Sequence, residues 1–319
     1  MRAVILAAGF GTRLWPLTED RTKPAIPFLN QPLIGYAVEY LAGFGIRDLV
    51  VNLHHEPESV RNALGDGSRF GVKIDYSFEE EIRGTSGALD LVREQLAGDD
   101  FVVINGKVIT TIDLSNAIHE HRTRNAIATL ILRPNAARER FSEVKVDARG
   151  LIREFGGFPS EAGGSAAIPL MFTGIQVLSP RILDYVPRGR FSHSTTDVYP
   201  KAIAAGESVI AHISNGDWLE LSTLARYLEA SRLFMRRRGV NMIHGEGAVI
   251  GPGAVVTDSV LWDNVIVESG ARLSDVVLGD NVRIPAGSVI ERAVVVRREL
   301  VKEIERGEVI GENLIVPIE

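Results

Sequence analysis

Leu6-Ala7-Ala8-Gly9-Phe10-Gly11-Thr12-Arg13-Leu14 grows out of an apolar run, Ala3-Val4-Ile5-Leu6, and ten residues beyond Arg13 comes Lys23-Pro24. The run reads as a buried strand, being short, aliphatic and bounded by glycine. Glycines at a strand end let backbone N–H groups approach a phosphate with no Cβ in the way, and an arginine and a lysine nearby supply cationic donors. The stretch therefore predicts a phosphate-bearing ligand at the carboxyl end of the first strand. Gly9 to Leu14 meets only the first half of the dinucleotide pattern GxGxxG, because Leu14 stands where the third glycine belongs. It is not a P-loop either, since no Gly-Lys-Ser/Thr follows. A bare strand–Gly-x-Gly turn also describes a tight βα connection; Arg13, Pro16 and Lys23-Pro24 are what tip the reading toward phosphate.

Working outward, residues 1 to about 235 alternate short β-branched runs with segments of helical period. Strands are predicted over Ala3–Leu6, Leu49–Leu53, Val72–Tyr76, Phe101–Ile104 and Ala128–Leu132. Helices are predicted over Pro32–Leu41, Pro57–Leu64, Ser86–Leu96 and Leu114–Arg122. Strands separated by such helices imply crossover units and a largely parallel sheet covered on both faces, with ligands beyond the carboxyl ends of the strands. The loops at Gly9, Gly84 and Asn105 would then share one rim. A glycine-rich stretch at Gly156–Gly164 reads as a loop, followed by an apolar segment, Ile168–Leu178, and a helix over Asp197–Ala205. A last helix, Thr223–Arg238, ends on three arginines and Gly239, a sound C-terminal stop.

Beyond Gly239 the texture changes. Ile250 and Val256 lie six apart, as do Leu261, Val267 and Leu273, and Leu278, Ile284, Ile290 and Val296 continue the period with Gly, Asn and Asp between them. An aliphatic residue at every sixth position is the hexapeptide pattern of a parallel β-helix, here of about three coils. The step slips to five at Val256–Leu261 and Leu273–Leu278, which reads as short irregular turns. Glu299 to Glu319 reads as an appended tail with a short helix and a strand over Asn313–Ile318.

The 319 residues suffice for one large domain, or a large one and a small one. A net charge of −6 excludes general binding to nucleic acid or anionic membrane, so an anion site must be a local cationic pocket. With no cysteine, disulfides, thiol nucleophiles and thiolate metal sites are excluded. No segment approaches the roughly 18 apolar residues of a membrane span, and no signal segment is legible, so the expected setting is cytoplasmic. Neither His54-His55 nor His119-x-His121 has the spacing of a convincing metal site.

The string from Gly9-Phe-Gly-Thr-Arg-Leu-Trp-Pro-Leu-Thr through Thr22-Lys23-Pro24 resembles the nucleotide loop of the sugar-1-phosphate nucleotidyltransferases, with Thr22 where that family usually has proline. Arg83-Gly84-Thr85-Ser86-Gly87-Ala88-Leu89 resembles the same family's Gly-Thr-Ala-Gly-Ala-Leu turn, whose backbone packs against base and ribose; taken alone it also reads as a helix N-cap. The resemblance implies a Rossmann-like mixed-sheet α/β nucleotidyltransferase domain over 1–239, a left-handed parallel β-helix over 240–298 and a tail over 299–319. It is nearest to mannose-1-phosphate guanylyltransferase-like proteins. It implies attack of a sugar 1-phosphate on the α-phosphate of a nucleoside triphosphate such as GTP, with release of pyrophosphate. Leu6, Ala8, Gly9, Gly11, Thr12, Arg13, Lys23, Gly84, Thr85, Ser86 and Asn105 would hold the nucleotide. Arg13 would take the leaving pyrophosphate and Lys23 the α-phosphate. Glu143, Thr173, Gly174 and Asp197 would hold the sugar. Hexapeptide acyltransferases use the same repeat with more coils and a catalytic histidine inside; here His244, at the start, is the single histidine of the repeat. A subunit-contact role in a homo-oligomer is expected of the β-helix instead.

Three positions depart from the family pattern. Lys107 stands where the family has a Mg²⁺-binding aspartate, Glu220 replaces a second such aspartate, and Phe158 replaces a sugar-phosphate lysine. An aspartate with Mg²⁺ carries net +1, as a lysine does, so Lys107 reads either as an electrostatic stand-in at the α-phosphate or as the mark of a nucleotide-sugar-binding regulatory subunit that turns over poorly. Glu220 keeps a carboxylate for Mg²⁺ brought in by the nucleotide. Arg138 or Arg140 could take over the role lost at Phe158.

Overall fold

Ala3, Val4 and Ile5 are fully buried in the computed structural model of the chain, and β1 (Arg2–Leu6), which they form, lies inside a nine-stranded sheet. The structure describes residues 1–135, 143–155 and 169–319, so Arg138, Arg140 and Phe158 lie outside the described residues. After β1 the longer elements run α1 (Leu33–Gly43), β2 (Asp48–Leu53), α2 (Pro57–Leu64), β3 (Lys73–Phe78), α3 (Gly84–Leu91), β4 (Phe101–Asn105), α4 (Leu114–Thr123), β5 (Ala128–Pro134), β6 (Glu143–Val146), β7 (Ile152–Phe155), β8 (Leu170–Leu178), α5 (Tyr199–Ala204), β9 (Val209–Ile213) and α6 (Leu224–Arg238). None of the described helices is long and apolar enough to cross a membrane. The chain folds into two compact units. One holds Met1–Gly9, Tyr36–Pro57 and Leu64–Trp218; the other holds Phe10–Gly35, Glu58–Ala63 and Leu219–Glu319.

In the first unit the sheet order is β7-β6-β8-β4-β1-β2-β3, with β5 paired to β8 and β9 to β5. β1 pairs in parallel with β2 and β4, so Leu6 stands level with Asn52 and Asn105. The parallel expectation holds on this side of the sheet. β8 reverses it, running antiparallel to β4, β5 and β6, which makes the sheet mixed, as the family resemblance implies. An apolar run long enough to be buried on both faces carries no record of its direction, so the sequence pattern could not reveal this. The register of β8 against β5 shifts between Phe172 and Gln176, and Gly174 at this break has φ +79°, a conformation that favours glycine. Leu89, Tyr199 and Ala202 pack α3 and α5 onto sheet residues Val4, Val103 and Leu130 in one apolar core.

In the second unit every rung of the β-helix advances by 17 residues: 249 to 266 to 283 on one side, 255 to 272 to 289 on the next, 260 to 277 to 294 on the third. That is one residue fewer than three full hexapeptides, so one side of each coil is short. The five-residue steps are this recurring side rather than irregular turns. The corners repeat with the same advance. Gly247, Asn264 and Asn281, then Gly253, Gly270 and Gly287, then Asp258, Asp275 and Arg292 all have positive φ, which explains the Gly, Asn and Asp between the aliphatic positions. Leu261, Leu278 and Val295 stack inside, beside Val267 and Ile284, all fully buried. Each such side chain contributes roughly 1.5–3 kcal/mol relative to exposure. The tail is a single helical turn at Arg298–Leu300 and a hairpin. Its strand Asn313–Pro317 runs antiparallel to Val289–Arg297 and so covers the open edge of the last coil.

Candidate active site

Because parallel strands end level, the first unit brings the ends of β1, β2 and β4 together. Gly106 N donates to Leu6 O at 2.9 Å, which folds the Asn105–Lys107 turn back onto the end of β1. The Asn105 side chain packs on Gly174, filling the space a Cβ there would need, so a nominated nucleotide residue and a nominated sugar residue are neighbours. Lys107 and Leu6 are half-buried and Ala8 nearly buried, whereas Gly9 is exposed with nothing within 4 Å of where its Cβ would be. A side chain at Gly9 would therefore meet no neighbour, and the backbone at this strand end is accessible from that side.

Two residues the sequence reading passed over tie this region together. Ala7 N donates to Asn52 Oδ1 at 2.6 Å, Asn52 Nδ2 donates to Glu79 Oε1 at 2.6 Å, and Arg83 N donates to Glu79 Oε2 at 2.7 Å. The available signal was an amide inside the apolar strand Leu49-Val50-Val51-Asn52-Leu53, since a buried amide requires partners.

The second motif is built differently from the expectation. Gly84 has φ +74°, and a Cβ there would lie 2.5 Å from Ser192 O; one at Gly87 would lie 3.0 Å from Arg190 O. The small residues at 84 and 87 therefore admit the 190–192 backbone on that side. Ser86 N and Gly87 N both donate to Ser192 O, at 3.1 and 3.2 Å, so the start of α3 is capped by a distant carbonyl rather than by Thr85 or Ser86. Ser86 is fully buried and its hydroxyl donates to Ser192 Oγ, while Thr85 Oγ1 accepts from Ser194 N. The hydroxyl of Ser86 is thus occupied in packing.

The nominated sugar residues divide in the same way. Thr173 is buried and its hydroxyl donates to Ile131 O at 2.7 Å, with Trp218 Nε1 donating to Thr173 O; this threonine braces the β8 irregularity. Asp197 Oδ2 accepts from His193 N at 2.8 Å and Thr196 Oγ1 at 3.0 Å. The His193 N–H is the main cause that holds the Asp197 carboxyl below the usual aspartate range; burial opposes it, and the Thr196 hydroxyl adds a smaller lowering. Asp197 thereby ties the turn Ser194–Val198 to the 192–194 segment that caps α3. Glu143 begins β6 opposite Met171; its side chain is outside the described residues.

The second unit carries the rest of the first motif. Gly11, at φ +74°, opens the turn Thr12–Leu14, and a Cβ there would lie 2.7 Å from Lys23 Cβ. The loop therefore closes on itself and sets Lys23, only 7 % exposed, against the glycine turn, while Thr12 and Arg13 stay exposed. A lysine so deeply buried is uncommon and concentrates positive charge where water screens it little. Thr22 N donates to Ser59 Oγ at 3.1 Å, a bond that the family's proline could not make. The far half of the loop is anchored on the β-helix. Arg21 bonds Asp280 Oδ2 at 2.7 Å and lies 5.1 Å from the Trp262 ring centre. Burial works against the Arg21 charge, but Asp20 and Asp280 outweigh it and raise its pKa. Tyr227 OH donates to Pro27 O at 2.6 Å and accepts from Trp262 Nε1 at 3.1 Å. Glu220, at the second nominated metal position, is buried.

Residues 2–237 match the family described as nucleotidyl transferase, and residues 232–315 match one described as GlmU-like C-terminal hexapeptide. The UTP–glucose-1-phosphate uridylyltransferase of Synechocystis is 32% identical over 283 residues, 84% of this chain and 72% of that protein. A mannose-1-phosphate guanylyltransferase of Mycobacterium tuberculosis is 29% identical over 294 residues, 83% of this chain and 81% of that one. Among solved structures, a Bacillus anthracis glucose-1-phosphate thymidylyltransferase crystallised with sucrose is similar with a TM-score of 0.64 at 27% identity, covering 73% of this chain and 94% of the other.

Proposed function

The chain belongs to the nucleotidyl transferase family and catalyses nucleotidyl transfer to a sugar 1-phosphate, and from that premise we propose that the Gly9–Lys23 loop holds the triphosphate. A sugar 1-phosphate oxygen attacks the α-phosphorus in line. The bond to the β-bridging oxygen breaks, and pyrophosphate leaves with the electron pair. Such a transfer depends on positioning and on neutralising charge, not on a protein nucleophile. The backbone N–H groups of Gly9, Gly11 and Thr12 cradle the phosphates. Arg13, exposed on its turn, receives the leaving pyrophosphate, and Lys23 offsets the charge that develops at the α-phosphate. The observation that carries this reading is the packing of a buried lysine directly on the φ-positive glycine of the loop. Asn105, Lys107 and Gly174 border the same strand end and are assigned to nucleotide and sugar phosphate.

Proteins of this family generally use Mg²⁺. Among the described residues no three His, Asp or Glu side chains gather as a metal site, and the ammonium of Lys107 has no lone pair to offer. The donor set does not fit a metal held by two protein carboxylates. Glu220 supplies one carboxylate, enough for Mg²⁺ that arrives bound to the triphosphate. We favour GTP and mannose 1-phosphate as substrates, because the mycobacterial relative is matched over a larger share of its length than the uridylyltransferase. We also infer a homo-oligomer contacting through the β-helix, where Val255 and Val289 are exposed in one register row; light scattering in solution checks this.

The test is pyrophosphate release from a panel of triphosphates and sugar 1-phosphates, with Mg²⁺ and with EDTA. Release is expected with at least one pair, and most with GTP and mannose 1-phosphate. Binding of nucleotide-sugars with no release from any pair would replace the enzyme by a regulatory subunit. Release that continues under EDTA supports Lys107 as the charge standing in for a protein-held metal, and strict dependence on Mg²⁺ counts against it.

A further inference from the structure

The buried pair Asn52 and Glu79 has no part in the chemistry above, and its atoms leave little choice about how it is wired. Ala7 N and Arg83 N can only donate. The Asn52 atom facing Ala7 must therefore be its oxygen, which turns the Asn52 amino group to Glu79 Oε1 and leaves Oε2 for Arg83 N. The orientation of an amide is often ambiguous; here both ends fix it. Asn52 is 4 % exposed and Glu79 1 %, and the Glu79 backbone is held as well, its N donating to Leu53 O and its carbonyl lying 2.8 Å from His54 Nδ1. A carboxyl group this deeply buried is costly unless its oxygens are satisfied, and both are.

The relay has a particular place in the fold. β1 and β3 are not neighbours, because β2 lies between them. Asn52 at the end of β2 and Glu79 just past β3 bridge that gap. One end of the bridge is the N–H two residues before Gly9; the other is the N–H of the residue before Gly84. We propose that Asn52 and Glu79 are positioning residues that fix the start of the glycine loop relative to the start of α3, and so set the shape of the site for the triphosphate and its base. This rests on the triphosphate role proposed for the glycine loop and on the base-packing role that the family resemblance implies for Gly84–Ser86.

The direction of the relay supplies its own test. Asn52→Asp sets two carboxylates against each other. Glu79→Gln forces its amino group against either the Asn52 amino group or the Arg83 N–H. In the swapped double variant N52D/E79Q every group is matched again: Ala7 N donates to Asp, the Gln amino group donates to the other Asp oxygen, and Arg83 N donates to the Gln oxygen. Total charge is unchanged. We expect each single substitution to raise KM for the triphosphate about tenfold, with less change in KM for the sugar phosphate, and the double variant to return to within about threefold of wild type. Amide exchange at Ala7 and Arg83 should accelerate in the singles and recover in the double. Unchanged KM and exchange in both singles would overturn the relay, as would a folded double variant no better than the worse single. If a single variant does not fold, the double variant still decides: wild-type-like KM supports the relay, and a raised KM overturns it. Wild-type protein that releases no pyrophosphate from any pair contradicts the proposed function instead. In that case the same variants are compared by calorimetric titration with GTP, and failure of GTP to bind the wild type overturns the relay too.

Discussion

The β-helix and the strand ends of the mixed sheet solve the same problem, placing side chains to within fractions of an ångström, by opposite means. In the β-helix each position has a copy 17 residues away in the next coil, so Leu261, Leu278 and Val295 occupy equivalent places and tolerate the same residue types. At the carboxyl end of β1 nothing is repeated. Ala7, Asn52, Glu79 and Arg83 are instead joined by individual hydrogen bonds, across separations of 45 and 27 residues. Repetition spreads the consequence of any one substitution, whereas the strand ends concentrate it.

The largest expected effect is at the lysine of the glycine loop, likewise a position without a repeat. Lys23→Ala should lower kcat by about 10²–10³ while leaving the protein folded, because removing one preorganised charge at a developing anion costs about that much; steady-state pyrophosphate release measures it. Next comes a matched pair of glycines with nearly the same φ. Gly84→Ala combines φ +74° with a Cβ 2.5 Å from a backbone carbonyl, and should destabilise by about 3 kcal/mol or more. Gly253→Ala, at φ +73° on a β-helix corner with nothing within 4 Å, should cost about 1 kcal/mol. Chemical denaturation of the two variants measures the gap, and equal losses would erase the contrast between unique and repeated positions.

The smallest effect concerns pH. Asp197 titrates below its ordinary value when folded, so its stabilisation is present above the unfolded aspartate pKa of about 3.9 and disappears as pH falls through the folded value. The stability difference between wild type and Asp197→Asn should therefore be constant from neutral pH down to about pH 5 and shrink below about pH 4, as thermal melts across that range would record.

The same contrast explains what could be read from the sequence. A period of six with glycine, asparagine and aspartate at corners is a local signal, and it revealed most of the β-helix interior; Ile250 on the first coil is exposed, and Val256 and Ile290 are only partly buried. Helices α2 and α4 were equally plain, the latter with Asp113 accepting from Ser115 N at its start. The antiparallel direction of β8 was not, because burial on both faces removes the alternation that marks a strand's surroundings. Nor was the capping of α3 by Ser192, since a backbone carbonyl about a hundred residues away leaves no trace in residue type. In the site, the glycines and cations of the first loop were legible through their spacing. Asn52 and Glu79 were not, because each looks ordinary until the strand order makes them neighbours. Thr173 and Ser86 show the converse, residue types suited to ligand contact that the fold uses for packing.

The most direct test of the central claim follows the phosphorus atom. GTP labelled at the α-phosphate, incubated with mannose 1-phosphate and the wild-type protein, should give a labelled nucleotide-sugar and unlabelled pyrophosphate, with both products lost in Lys23→Ala. Label that stays in GTP with this and every other sugar 1-phosphate and triphosphate pair, or transfer undiminished in Lys23→Ala, would contradict the role assigned to the Gly9–Lys23 loop.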